Sequence, residues 1–353
     1  MEMTDILASA VRQGASDIHL VIGKPPMIRA RGTISQLEEF PPVNAEEAKR
    51  LIYSILSDNQ KTKFEQNYEL DCSVALKDVS RFRVNVFMQR NGVEAVLRVI
   101  AANIPSPEDI RLSPAIIDFV NLPRGLVLVT GPTGSGKTTT LACLMDLINR
   151  KRRGHILTIE DPIEFVYENK NCIVRQREVG LQTKSFATAL KYSLRQDPDV
   201  VLIGEMRDLE TISTALTIAE TGHLVFATLH TTDAASTVDR IIDVFPPQQQ
   251  QQVRVQLSVT LKGVVSQTLL PKRSGFGRVA AREVMTVTPA ISNLIREGKT
   301  HEIYSAIDTG AKFGMISLDR ALLQLVEEGL ISREDAITKA HNPEYMKNGG
   351  KII

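Results

Sequence analysis

Two spacings of apolar residues divide the chain. In the first hundred residues, short and often alternating runs predict strands over 28–31, 70–76, 81–87 and 95–99. Between them, AEEAKRLIYSILSD places Ala48, Leu51, Ile52, Ile55 and Leu56 on one stripe, the spacing of an amphipathic helix. Asn44 precedes it and Glu47 follows three positions on, which predicts an N-cap with a returning acid. These elements describe a small α+β domain over residues 1–100. The stretch AANIPSPEDIRLSP then carries three prolines, which disfavour regular structure, so 101–113 is expected to be a linker. Ser113 followed by Pro114 reads as the start of a helix.

From 114 to 353 the strands become continuous apolar runs separated by helical patterns. Strands are expected at 126–130, 155–159, 200–203 and 224–228. Helices are expected from a glycine loop to about Arg150, at 185–195 and at 208–220, the last with Asp208 as N-cap and Gly222 as its stop. Buried strands alternating with helices predict an α/β fold with a parallel sheet covered on both faces. The tail reads as helical. Ser317 caps LDRALLQLVEEG, Ser332 with Asp335 forms a capping-box pattern, and the final MKNGGKII is expected to fray. The glutamine run 248–252 follows Pro246 and Pro247 and reads as the exposed start of a helix.

Composition narrows the classes further. A chain of 353 residues suits two domains, and 43% hydrophobic with 24% charged residues excludes disorder as the main state. Lys and Arg total 42 against 41 Asp and Glu, so broad electrostatic binding to nucleic acid or anionic lipid has no support. Cys72, Cys143 and Cys172 are odd in number, far apart and without a CxxC pair, which suggests neither a disulfide framework nor a cysteine zinc site. A reducing, cytoplasmic setting fits. The amino-terminal MEMTDILASAVRQG lacks the apolar core of a signal peptide, and no apolar stretch approaches the ~20 residues that span a bilayer. Direct membrane insertion is therefore not expected.

The candidate chemistry begins at Gly131-Pro132-Thr133-Gly134-Ser135-Gly136-Lys137-Thr138-Thr139, which contains G-x-x-x-x-G-K-[ST] between a predicted strand and a predicted helix. Glycines let the backbone turn several N–H groups toward one anion, and the helix N-terminus adds positive potential. Lys137 can reach the β- and γ-phosphates, and the Thr138 hydroxyl can ligate Mg²⁺. ATP with Mg²⁺ is the expected ligand pair.

Two acidic segments follow. Val200-Val-Leu-Ile-Gly-Glu205 ends a parallel strand with a carboxylate that can hold Mg²⁺, directly or through water, or position the attacking water. Gly204 stands where many P-loop proteins carry the Mg²⁺-binding aspartate. Ile159-Glu160-Asp161-Pro162-Ile-Glu164 offers Glu160 and Glu164 as water-activating carboxylates, and taken alone reads equally as a solvated turn. TGHLVFATLH brackets a strand with His223 and His230; position favours His230 as a γ-phosphate sensor and His223 as structural. Phosphoryl charge also needs an arginine, in cis or from a neighbouring subunit. Arg81, Arg83, Arg90 and Arg98 lie near or on strands, and the alternative for them is the solvated face of an amphipathic strand.

The ordered set GPTGSGKTTT, ILTIEDPIEF, DPDVVLIGEMRD and AETGHLVFATLHT resembles the Walker A, Asp, Walker B and His boxes of the secretion-type AAA+/RecA-like ATPases. GASDIHLVIGKPPMIRARG, RQREVG, RVAAREVM and AISNLIREGKTHEI resemble the pilus-retraction branch of that family, with Ser292 where that branch usually carries arginine. The resemblance implies a PAS-like N-terminal domain and a RecA-like ATPase domain with a helical C-terminal region. It implies a homohexamer hydrolysing ATP to retract type IV pili, acting on an inner-membrane platform protein at the inner face of that membrane and compatible with an accessory retraction ATPase. It assigns Glu205 the Walker B role and Glu164 the water-activating role, with Glu160 supporting. It implies that His223 and His230 link nucleotide state to domain motion, and that Arg81, Arg83 and Arg98 reach nucleotide. Extension and type II secretion relatives usually carry a longer N-terminal region and a four-cysteine metal subdomain, both missing from this sequence, which favours retraction over those alternatives; the presence of Glu205 and Glu164 argues against a non-hydrolysing ATP-binding switch.

Overall fold

A computed structural model describes residues 1–30, 32–76, 79–100 and 103–350. The chain divides into two compact units: Met1–Asn103 together with Pro162–Val166, and Ile104–Asp161 together with Tyr167–Ile353.

The first unit holds α1 (Met3–Arg12), β1 (Asp17–Leu20), β2 (Met27–Ala30), β3 (Thr33–Gln36), α2 (Ala45–Ser54), α3 (Asp58–Asn67), β4 (Glu69–Leu76), β5 (Ser80–Gln89) and β6 (Gly92–Ile100). Its sheet runs β3-β2-β1-β6-β5-β4, and every pairing is antiparallel. The alternation seen in the sequence sets its two faces. On β5, Phe82, Val84 and Val86 enter a core with Ile6, Leu51, Ile52 and Leu97, leaving Arg81 and Arg83 on the other face. Asn44 caps α2 as expected, its Oδ1 accepting from Glu47 N at 2.8 Å. The carboxylate of Glu47 does not return to the cap; it pairs with Arg50 at 3.0 Å. Arg31, placed in the 28–31 strand, and residues 101 and 102 of the linker lie outside the described residues.

The second unit continues with α4 (Pro114–Asp118), β7 (Gly125–Thr130), α5 (Lys137–Lys151), β8 (His155–Glu160), β9 (Ile173–Glu178), α6 (Phe186–Ser193), β10 (Val200–Ile203), α7 (Leu209–Glu220), β11 (Leu224–Leu229), α8 (Ala234–Asp243) and α9 (Pro247–Thr260). After these come β12 (Leu261–Pro271), β13 (Arg278–Thr286), α10 (Pro289–Glu297), α11 (Ile303–Asp308), α12 (Leu318–Glu327), α13 (Arg333–Ile337) and α14 (Pro343–Lys347). The sheet order is β13-β12-β7-β11-β10-β8-β9. Six strands are parallel and β13 runs antiparallel at one edge. Successive residues of β7 feed opposite layers: Leu126 and Leu128 pack with Ile203, Val225 and Leu257, while Val127 and Val129 pack with Leu144, Ile148 and Phe226. A sheet covered on both faces in this way needs continuous apolar strands, which is what the sequence has.

Ahead of the helical tail, β12 and β13 form a long hairpin that was not anticipated; Ser266 and Gln267 interrupt the apolar pattern that would have marked a strand. One expectation needs correction: the described end of the chain does not fray. Asn342 caps α14 through Tyr345 N, Met346 is buried among Leu322, Leu325 and Ile331, and Asp319 accepts from His341 N at 2.7 Å and Asn342 N at 2.9 Å. Residues 351–353 of that segment lie outside the described residues.

Candidate active site

In a parallel sheet the carboxyl ends of the strands share one edge, and ligands bind there. Three strands carry the predicted chemistry to this edge: β7 ends in the glycine loop, β10 runs into Gly204 and Glu205, and β11 runs into His230.

The loop from Gly131 to Gly136 has the backbone that the motif requires. Gly131, Gly134 and Gly136 have φ of 138°, 77° and 87°. Gly131 has no room for a side chain, since a Cβ there would stand 2.2 Å from the carbonyl oxygen of Gln267. Gly136 is the N-cap of α5, so Lys137, Thr138 and Thr139 form the first helical turn. The Lys137 ammonium lies over its own loop, donating to Gly131 O at 2.7 Å and Pro132 O at 3.1 Å. Pro132, Thr133 and Gly134 are exposed at the crest, and Ser135 is buried beneath it.

Glu205 lies between two partners, Arg207 Nε at 2.7 Å and His230 Nε2 at 3.4 Å. Gly204 is fitted closely against β8: its N–H donates to Ile159 O at 2.8 Å, and a Cβ would come within 3.2 Å of Glu160 Cα. A larger residue at 204 would push β10 from β8. Glu160 itself is 5% exposed, and its Oε1 accepts from Thr158 Oγ1 at 2.7 Å and Gln176 Nε2 at 3.1 Å. It is built into the sheet, which suits the supporting role better than proton transfer.

The structure separates the two histidines. His230 follows β11 at the P-loop edge, whereas His223 precedes β11, roughly 20 Å away at the strand rise. The His223 ring sits on Ile218 O at 3.1 Å and Thr221 Oγ1 at 3.3 Å. Within a subunit His230 reaches this edge and His223 does not, in keeping with the structural reading that position favours for His223. Glu164 falls in Pro162–Val166, which groups with the first unit rather than with the P-loop unit.

The arginines share one face of the first unit's sheet. Arg83 on β5 is the cross-strand partner of Arg98 on β6, and Arg98 is that of Asp17 on β1. Against the cost of burial, the Arg98 guanidinium, 2.9 Å from Asp17, holds that carboxyl below its usual range. Arg81 donates to Ser73 Oγ at 2.7 Å.

Sequence reading missed a cavity of about 390 Å³ beside the first turn of α5. Its walls include Gly136 and Thr139, the apolar Leu269 and Val279, and the cationic Arg278 and Arg282. Contiguity of an apolar wall with a phosphate-binding helix end suits a nucleoside. Leu269, Arg278, Val279 and Arg282 come from the unanticipated β12–β13 hairpin. Among the described residues no cluster of His, Cys, Asp and Glu could hold a metal by itself, and no helix is long and apolar enough to cross a membrane.

Residues 2–337 match the family described as Type II/IV secretion system protein, and the chain belongs to that family. It is 53% identical over 344 residues to the type IV pilus retraction ATPase PilT of Pseudomonas aeruginosa, covering 98% of this chain and 99% of that protein. It is 50% identical over 321 residues to a twitching motility protein of Neisseria gonorrhoeae, covering 91% and 86%. A crystal structure of the pilus retraction motor PilT with bound ADP matches with a TM-score of 0.93 at 47% identity, over 99% of both chains. The α/β fold and secretion-ATPase membership expected from the sequence are thereby established.

Proposed function

We propose that the chain is an ATPase motor that hydrolyses ATP to power retraction of type IV pili. The observation that carries this reading is the shared carboxyl edge, where the loop and Lys137 after β7, His230 after β11 and Glu205 after β10 follow neighbouring strands. The likeness to PilT over nearly the whole of both chains supports the pilus as the load.

In this reading the loop N–H groups and Lys137 hold the β- and γ-phosphates, exchanging the carbonyl contacts of Lys137 for phosphate oxygens. The cavity beside Thr139 and Leu269 takes the nucleoside. Glu205 orients the attacking water, and its bond to His230 couples that carboxylate to the γ-phosphate position. Protein donors for Mg²⁺ are few, so Thr138 and Glu205 would hold it alongside phosphate oxygens and water. Bound there, Mg²⁺ would neutralise charge developing on the phosphates. Glu164 is a second candidate for water activation, with Glu160 supporting it. Arg81, Arg83 and Arg98 supply positive charge to nucleotide across a subunit boundary in a homohexamer. The partners are an inner-membrane platform protein, which places the ring at the inner face of that membrane, and an accessory retraction ATPase.

A strain lacking this gene tests the reading. It should carry many pili that do not retract, and twitching should return with the wild-type gene but not with Lys137→Ala. Bald cells would point instead to extension, and normal retraction would remove the pilus assignment.

A further inference from the structure

We infer that Gln267 and Arg282 are positioning residues that hold the P-loop in its phosphate-binding curve from the non-catalytic side of β7. The inference rests on the nucleotide reading of that loop.

Register delivers Gln267 to the loop. Ser266 on β12 pairs with Thr130, the last residue of β7, and their hydroxyls are 2.8 Å apart. The next residue, Gln267, therefore lies beside the turn. Its carbonyl oxygen occupies the space that a Cβ on Gly131 would need. Its side chain, 3% exposed, donates from Nε2 to Ser135 O at 2.7 Å and accepts at Oε1 from Thr140 Oγ1 at 2.9 Å. One residue thus grips the start of the loop, its end and the first turn of α5.

Arg282 fixes which way that amide points. It faces Gln267 across the β12–β13 ladder and donates from Nε to Oε1 at 3.4 Å. A flipped amide would set its NH₂ against the guanidinium and its oxygen against the Ser135 carbonyl, two repulsive contacts in place of two attractive ones. Arg282 is in turn held by Ile110 O at 2.9 Å and Arg111 O at 3.3 Å. All its recorded acceptors are neutral oxygens. Burial lowers its pKa to about 10, so it stays charged at neutral pH.

Gln267→Met keeps the side-chain volume and removes its hydrogen bonds. On the full-length protein, ADP titration and steady-state ATP hydrolysis give Kd, KM and kcat. A misplaced loop weakens ground-state phosphate binding, so Kd and KM should rise on the order of tenfold while kcat stays within about threefold. An unchanged KM, with or without a lower kcat, would mean packing only and overturn the proposal. Arg282→Met should raise KM similarly, and Arg282→Lys should recover part of the loss. The double variant should be no worse than the worse single one; multiplied effects would show independent residues and break the relay. If Gln267→Met does not fold, Thr140→Val serves instead, with roughly a threefold rise in KM expected and no rise counting against the role. Wild-type protein that fails to bind ADP would defeat the site reading itself rather than the relay.

Discussion

Strand β7 has unlike neighbours. Toward β11 and β10 lie His230 and Glu205, partly exposed side chains just past the strand ends and hydrogen-bonded to each other. Toward β12 and β13 lie Gln267 and Arg282, buried within their strands and tied to the loop and its helix. Groups that must meet substrate stand at strand ends, where solvent and ligand reach them. Groups that must keep the loop from relaxing stand where the sheet fixes their rotamers. A reaction site assembled this way has one reactive flank and one rigid flank, and substitutions on the two should fail differently.

Lys137→Ala should have the largest effect. Loss of the ammonium is expected to weaken ATP binding at least about a hundredfold, roughly 3 kcal/mol, and abolish turnover, measured by calorimetric titration and phosphate release. Near-normal affinity would mean that neither flank shapes a phosphate site. Next comes Gly131→Ala, a test of the rigid flank. Its Cβ would stand 2.2 Å from Gln267 O at a φ of 138°, so about 2 kcal/mol of stability should be lost in a denaturant titration and nucleotide binding with it. A variant as stable as wild type would show that β12 gives way and that the flank is not rigid.

The histidines sharpen the reactive flank. His230→Ala should lower kcat about a hundredfold through its contact with Glu205, while His223→Ala should cost less than tenfold in the same assay. Equal losses would show that His223 reaches nucleotide by another route, such as a neighbouring subunit.

A last effect concerns Glu283 on the rigid flank. Burial pushes its carboxyl up from 4.5 to about 6, with Asp233 adding to the rise and His341 opposing it. It accepts from Ala234 N at 2.8 Å at the start of α8. Because the fold favours the protonated form, the contribution of this group to stability is greatest below about pH 4.5, falls as pH rises to 6, and stays lower above that by up to ~2 kcal/mol. Glu283→Gln should remove this pH dependence and be the more stable protein at pH 8, read by urea unfolding across pH 4 to 8. An unchanged pH profile would assign the slope to other groups.

The same contrast explains what could be read in the sequence. The loop, the Glu205 strand end and the β7–β11 pattern are contiguous, and their geometry follows from local spacing. The Asn44, Asp208 and Ser332 caps were legible for the same reason. The rigid flank was not, because its bonds join residues 127, 132 and 136 positions apart. Nothing local in VVSQTLLP says which face Gln267 takes or that it meets a glycine loop. The one available signal was two polar residues inside an apolar run, followed by a glycine-rich turn and a second run, VAAREVM. The histidines were legible by position: both lie close to one strand in sequence, yet a strand separates its two ends in space, which favours a structural His223.

Phosphate release from ATP with Mg²⁺, measured on the purified wild-type chain beside Glu205→Gln, tests the central claim most directly. Turnover by wild type, with a loss of about 10²–10³ in Glu205→Gln and unaltered ADP affinity, is the predicted result. No release from wild type, or equal release from both, would contradict it.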